Sequence, residues 1–441
     1  MNIKNTAIDT FCDKGMLFTL CALIFVLPVS IAYLDSFAGV TIFLYLLKRI
    51  NRIVIDWPLT TLKFNLWGKI NFFYKGFCPA VNFLNRPLQF LSLAVFISVL
   101  FSQYPSLSFF AFIGKFLKCV FLYFSFIEVF KNEKRVQIFV NILLASACIT
   151  ALNGIIQHYT GHDFLKKHAA SGERINSSFF SANGLGAYLL PVIGLVVHSL
   201  YTSVLRHKSW LLGGLFATLL VILLSCLCWT YSRSSWIGFL IILFVMVLLD
   251  RRKSLFVGSL FLIFIFIFLP SLNNVRHLYL ISDNTGISAQ KTNSLFDLGA
   301  LLEQGGSGRN CFWKKAVTII QSSPIYGTGL NTYSRIIKRD PDPNTQWYAH
   351  NSYLQLTAET GILGLTSFLW LLFVLLSNGL DYCKRIKNPW SLTILQGTVA
   401  GLFGYLVQGF FDNTFYTVQL SVLLWMMIAL MVAVTRLEPA L

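Results

Sequence analysis

Charge is what this chain has least of. Asp, Glu, Lys and Arg make up 12% of its 441 residues, against roughly 25% in a soluble globular domain. So few ionic side chains cannot cover a water-facing surface of this size, which excludes a soluble protein. Acid is scarcer than base, with 18 Asp and Glu against 35 Lys and Arg. In a soluble protein the resulting net charge of +17 would suggest nucleic acid. Here the basic residues sit in short clusters between apolar blocks. They read as topology signals and contacts to membrane lipids, and no nucleic-acid partner is expected. The nine cysteines contain no CxxC pair, and only Cys311 is expected outside the membrane and the cytoplasm. Neither a disulfide framework nor a thiolate metal site follows. Cys226 and Cys228 read as packing residues within a span. No cleavable leader is expected either, because residues 16–34 read as a first span with no convincing small-residue cleavage site after it. No internal repeat, heptad run or low-complexity tract is found.

What is present is hydrophobic length. Hydrophobic residues are 56% of the chain, in blocks of about 17 to 25, enough to cross a hydrocarbon core of roughly 30 Å. The expected fold is an all-α integral membrane protein of about 12 transmembrane helices. The spans fall at approximately 16–34, 36–48, 88–103, 107–129, 136–157, 183–205, 210–232, 234–250, 254–270, 360–379, 391–411 and 415–435. Three regions result: 1–270 with nine spans, 271–359 as a long, mostly helical external loop, and 360–441 with three spans. Positive charge belongs inside. Lys48, Arg49 and Arg52, then Lys131, Lys134 and Arg135, then Arg206 and Lys208, then Arg251, Arg252 and Lys253, then Lys384, Arg385 and Lys387 all become cytoplasmic when both termini are cytoplasmic. The basic, aromatic stretch 49–87, with Trp57, Trp67, Phe72, Phe73 and Tyr74, is expected along the inner headgroup surface.

The external segments hold the residues suited to phosphate chemistry. A diphosphate leaving group gains negative charge as its bond to a sugar breaks, and Arg stays charged and grips phosphate oxygens in pairs. A sugar hydroxyl is a weak nucleophile, and His is the usual base near neutral pH. Arg233 lies in the turn between the seventh and eighth spans. Arg309 and Trp313 are four apart and share one face of an amphipathic helix over 309–322, which Pro324 ends. His350 is expected to begin a helix that runs into the tenth span, at the membrane surface. The competing readings are plain ones: a snorkelling Arg at a turn, a surface helix Arg, and a capping or packing His.

In order, Arg309-x-x-x-Trp313, Pro324-x-x-Gly327-x-Gly329, His350-Asn351-x-Tyr353-Leu354 and Glu359-x-Gly361-x-x-Gly364 resemble the O-antigen ligase/polymerase superfamily. Ser232-Arg233-Ser234-Ser235-Trp236 resembles that family's Arg motif, and Phe180-Ser181-Ala182-Asn183-Gly184-Leu185-Gly186 resembles its Asn-containing start of a mid-chain span. The resemblance implies an inverting, metal-independent glycosyltransferase at the periplasmic face of the bacterial inner membrane. Its donor would be an undecaprenyl-pyrophosphate-linked glycan and its acceptor lipid A-core, with no cofactor. His350 would be the base or the residue that orients the acceptor, and Arg233 and Arg309 would bind the diphosphate. Arg174, Asn183, Trp313, Tyr348, Asn351 and Tyr353 would bind substrate.

Other signals point elsewhere only faintly. His158 and His162 have a metal-binding spacing, but Thr160 and Gly161 end the helix between them. Asp340-Pro341-Asp342 resembles a metal-binding DxD, yet its prolines indicate a turn. Asp412-Asn413 reads as a solvated turn, and Lys115 and Lys118 either snorkel or line a polar groove. The rival functions are an O-antigen or capsule-type polymerase with the same donor, a protein O-oligosaccharyltransferase and, from another class, a glycan flippase. A flippase needs charges along a central cavity, whereas the Arg and His residues singled out here lie outside the spans.

Overall fold

The computed structural model describes residues 7–60, 82–170, 172, 174–206, 208–265, 309–338 and 348–437. Ten long helices and one long kinked helix make up most of them: α1 Ala7–Val26, α2 Ile31–Thr60, α3 Asn85–Leu100, α4 Pro105–Val129, α5 Glu133–Thr160, α6 Ala182–Arg206, α7 Trp210–Trp229, α8 Arg233–Leu249, α11 Ser352–Arg385, α12 Pro389–Gln408 and α13 Val418–Leu437. Between α8 and α11, residues 254–265 are helical, followed by the shorter α9 Arg309–Ser322 and α10 Tyr333–Ile337. Among the described residues no strand forms, only an isolated bridge between His162 and Ala169. Eight helices (α2, α4 to α7 and α11 to α13) are long and apolar enough to cross a membrane, and α3 and α8 are apolar but shorter. The chain is an all-α, multi-pass membrane protein. Its outer surface carries bare apolar side chains such as Phe110, Leu211 and Phe373, as a lipid-facing surface requires.

The first connection differs from expectation. A turn at 27–30, where Val29 and Ser30 donate back to Val26, separates α1 from α2. Pro28 cannot continue the helix, so α2 begins at Ile31 and is much longer than the short 36–48 span read from hydropathy. The segment 61–81, with Trp67, Phe72, Phe73 and Tyr74, lies outside the described residues, as do the Trp57 side chain, the region 266–308 and Asp340-Pro341-Asp342.

Small residues let the central helices touch. A Cβ on Gly194 of α6 would lie 2.6 Å from the Gly397 carbonyl oxygen and 2.7 Å from the Gly401 nitrogen of α12. The two backbones are in direct contact there, the close approach that small-xxx-small patterns permit in lipid. α6 and α13 are buried almost throughout, so the other spans pack around them.

The basic cluster near the end of α2 is a buried ionic network, more than an orientation signal. Glu128 of α4 binds Lys48 at 2.7 Å, Lys131 at 3.1 Å and Arg52 at 3.6 Å, and also pairs with Arg49. Lys48 additionally pairs with Asp13, and Arg52 with Asp9 at 3.2 Å. A charge buried in a bundle survives only when it is paired in this way.

At the opposite end of the bundle a backbone lock replaces the expected continuous helix. The α11 axis breaks at Gly361 (φ 66°, ψ −172°), so the turns before it are a separate piece from the span. The segment 324–329 threads through the break. Thr328 N–H donates to Ala358, Gly329 N–H to Glu359 at 2.9 Å, and Ile362 N–H to Pro324 at 2.9 Å. A Cβ on Gly361 would lie 2.1 Å from the Ile325 carbonyl oxygen, and one on Gly327 2.4 Å from the Glu359 carbonyl. The Pro-x-x-Gly-x-Gly and Glu-x-Gly patterns are therefore two halves of one clamp. Ser98 and Gln103, at the end of α3, bind the same two strands of chain through Glu359 and Thr328.

Candidate functional site

The loop between α5 and α6 is organised by two amides of α5. Gln157 accepts from the backbone of Asn176 and Ser177, while its own NH2 donates to the Asn176 side chain at 2.7 Å. Asn153 donates to Ser177 and accepts from the Phe164 backbone. Asp163 closes a turn by accepting from the backbone of Lys166 and His168. This scaffold delivers Arg174 to the α7–α8 turn. Its Nε donates to the Thr230 carbonyl at 2.9 Å and its Nη2 to Asn183 Oδ1 at 2.8 Å.

Asn183 lies in the first turn of α6, just after the Ser181 cap. Its carbonyl accepts from Gln408 of α12 at 2.9 Å, and its side chain hydrogen-bonds Asp412. Asp412 in turn meets His350, with Oδ1 3.4 Å from Nδ1. Burial pushes the Asp412 carboxyl up, but hydrogen bonds from His350, the Asn413 N–H and Asn183, with the nearby His350 charge, outweigh it and hold the group below its ordinary value. A charged Asp412 accepts the Nδ1 proton and leaves Nε2 as the basic nitrogen. Four residues from four segments thus form one chain: Arg174, Asn183, Asp412, His350.

His350 does not begin the helix, as the sequence suggested. Its φ of 49° is left-handed, and the helix starts at Ser352 after the Asn351 cap. Asn351 Oδ1 accepts from the N–H groups of Tyr353 and Leu354, both at 3.0 Å. The capped helix holds the half-buried imidazole outside its own hydrogen-bonding pattern. Ser352 Oγ donates to the Asp412 carbonyl at 2.7 Å, so the α12–α13 turn is tied directly beside His350. Phe312 of α9 packs on the imidazole with ring centroids 5.7 Å apart, which brings the Arg309–Trp313 helix to the same place.

The remaining sequence candidates divide by what they touch. Arg309 opens α9, and its side chain lies outside the described residues. Trp313 is half-buried, and its indole Nε1 has no hydrogen-bond partner among them. Tyr348 is exposed. Tyr353 is buried, donates to the Leu406 carbonyl at 3.0 Å, and stacks on Phe410 at 4.2 Å. It forms a wall under the site. Arg233 is exposed at the start of α8, while Ser232, Ser234, Ser235 and Trp236 around it are buried. Ser235 Oγ donates to Ser232 Oγ, and the Trp236 indole to the Leu227 carbonyl. With Tyr231 left-handed (φ 48°), the turn buries its small polar groups and presents the guanidinium outward.

The sequence reading missed Asp412, which it took for part of a solvated turn. An Asp between two late spans, on the face expected to hold His350, was the available signal, and only tertiary structure brings position 412 to 350. His158, set aside as a metal ligand, stacks on Trp229 with ring centroids 4.0 Å apart. Among the described residues no cluster of His, Cys, Asp and Glu could hold a metal ion.

Residues 218–369 match the family model described as O-antigen ligase, a stretch that includes the Arg233 turn, α9, the backbone clamp and His350. No curated protein matches the chain. The match makes this stretch similar to proteins of the O-antigen ligase/polymerase type. Arg174, Asn183 and Asp412 fall outside the matched stretch, yet they complete its His350 site.

Proposed function

We propose, on the premise that residues 218–369 are of the O-antigen ligase family, that this protein transfers O-antigen polysaccharide from undecaprenyl pyrophosphate to lipid A-core at the periplasmic face of the inner membrane. The observation that carries the reading is the chain from Arg174 through Asn183 and Asp412 to His350. It pairs a base, oriented by a carboxylate, with a cation fixed by two hydrogen bonds, at one end of the bundle. His350 Nε2 takes the proton of the acceptor hydroxyl as its oxygen attacks the anomeric carbon. The bond from that carbon to the diphosphate oxygen breaks from the opposite side, which inverts the configuration. Arg233 and Arg309 take up the charge that develops on the departing diphosphate, and Arg174 supports them. The sugar–diphosphate bond is itself activated, so neither nucleotide nor metal enters the step. Trp313, Tyr348, Asn351, Tyr353 and Asn183 shape the surroundings in which the glycan is held.

The test is a deletion strain complemented with wild-type, His350→Ala or Arg309→Ala protein, read as lipopolysaccharide bands and membrane protein level. Both variants should insert normally and leave the core without long glycan. Normal banding with well-inserted His350→Ala removes the proposed role of the imidazole. Single repeat units on the core in the deletion strain, in place of bare core, would instead indicate a polymerase with the same donor.

A further inference from the structure

One buried acid is left unused by the transfer step. Glu359 is 1% exposed and stands just ahead of the break at Gly361, outside the membrane span. Its Oε2 accepts from the Asn331 N–H at 2.6 Å, and its Oε1 from the Tyr333 N–H at 3.3 Å and the Gln355 amide at 3.4 Å. Lys115 of α4 holds Asn331 from its other side, with Nζ donating to Oδ1 at 2.7 Å. Two arms lead from this carboxylate to His350. Gln355, one turn earlier on the same helix and buried, also accepts from the Ala349 N–H at 3.4 Å, and Ala349 directly precedes His350. On the other arm the Tyr333 hydroxyl donates to the Phe312 carbonyl at 3.5 Å, and the Phe312 ring packs on the imidazole. A left-handed residue other than glycine, as His350 is, persists only where its surroundings over-determine it.

We propose that Glu359 is a positioning residue for His350: its carboxylate, acting through Gln355 and Tyr333, fixes the backbone and the packing face that aim the imidazole. The proposal rests on the transferase reading for the reaction that it serves. Chemistry supports the ionised form, because the two N–H groups and the Gln355 amide all donate, and a protonated carboxyl offers them one acceptor fewer. Three titratable groups face Glu359: Lys115 from α4, Tyr333 from α10 and Tyr416 from the turn before α13. Burial pushes the Glu359 carboxyl up to about 7, against the lowering effect of the N–H donors, Lys115 and Gln355. The aim of the imidazole therefore changes with pH near neutrality.

Glu359→Gln keeps the side-chain shape and removes the charge. In purified full-length protein it should lower kcat about tenfold at pH 8, as the loss of one hydrogen bond to a charged group implies, with KM for the lipid-linked donor unchanged. The ratio of wild-type to variant kcat should shrink toward one by about pH 5.5, where the wild-type carboxyl is itself protonated; the titration of His350 cancels in that ratio. A ratio that stays constant with pH is what a merely structural role gives, and it overturns the proposal. A second measurement needs no transfer. Tyr348-Ala349 is the sole Tyr-Ala pair in the chain, so carbonyl-13C tyrosine with 15N alanine marks the Ala349 amide alone. Its NMR shift is followed in detergent in the His350→Ala protein, where no imidazole at 350 contributes. The shift should titrate with a midpoint of about 7, and should stop titrating when Glu359→Gln or Gln355→Leu is added. If Glu359→Gln does not fold, Gln355→Leu decides. A shift that does not titrate, or that titrates unchanged in a folded double variant, overturns the proposal. If it titrates as expected while the wild-type protein transfers no glycan, the transferase reading fails and the link from Glu359 to position 350 stands.

Discussion

Replacing Asp412 with Asn tests the site at its joint. The substitution keeps the shape of the side chain and removes the charge that faces His350 Nδ1 at 3.4 Å. A hydrogen bond to a charged group contributes about 1.5–3 kcal/mol. The separation exceeds the usual 2.7–3.2 Å range and both side chains are partly open to solvent, so the lower figure applies, about 1.5 kcal/mol. At 1.36 kcal/mol per decade, transfer should slow roughly tenfold. Loss of the imidazole itself removes general-base catalysis worth about 10²–10⁴, so His350→Ala should be far worse than Asp412→Asn. The Ser352 bond to the Asp412 carbonyl is a backbone contact and survives the change, which keeps the turn in place. The assay is glycan transfer by purified protein from lipid-linked donor to lipid A-core, with thermal unfolding alongside. Wild-type rates from folded Asp412→Asn would show that the carboxylate does not orient the base. A variant as inactive as His350→Ala would show that it does more than orient.

The pH dependence of stability should separate these two variants. Asp412 is held below its ordinary value of 3.8, so its contribution is fully present above that value and lost as pH falls through the lowered folded value. The melting-temperature gap between wild type and Asp412→Asn should persist down to pH 5 and close only in stronger acid, and a gap that closes near neutrality contradicts the assigned direction. Gly361→Ala places a methyl group 2.1 Å from the Ile325 carbonyl at a left-handed φ, and should cost about 2 kcal/mol or more, lowering both melting temperature and transfer. A fully stable Gly361→Ala protein would mean that the clamp is loose. Glu128→Gln leaves Lys48, Arg49 and Arg52 without their shared anion and should cost about 3–5 kcal/mol, seen as loss of protein from the membrane; normal yield would show that the cluster is hydrated.

Much of the architecture was legible because a membrane protein must write its spans as apolar length. The all-α class, the helix over 309–322 and the importance of the Pro-x-x-Gly-x-Gly and Glu-x-Gly patterns all follow from local composition. Their meaning did not. Gly327 and Gly361 each look like ordinary turn glycines, and that they clamp one another depends on two stretches more than thirty positions apart passing within bonding distance. His350 was readable as a residue type suited to the chemistry, but its left-handed backbone and its place ahead of the Asn351 cap were not, since helix starts are set by which side chain reaches the free N–H groups.

The sequence by itself determined that this chain lives in a membrane as an all-α, multi-pass protein, and which His and Arg residues could serve phosphate chemistry, because hydrophobic length and residue type are local properties. Only the tertiary structure decided that Asp412 faces His350, that Asn183 joins it to Arg174, and that Lys48 is paired within the bundle. Those pairings join positions as far as 229 residues apart, and lie in how helices of similar apolar character pack, a choice made by glycine contacts and buried polar partners that no single segment encodes.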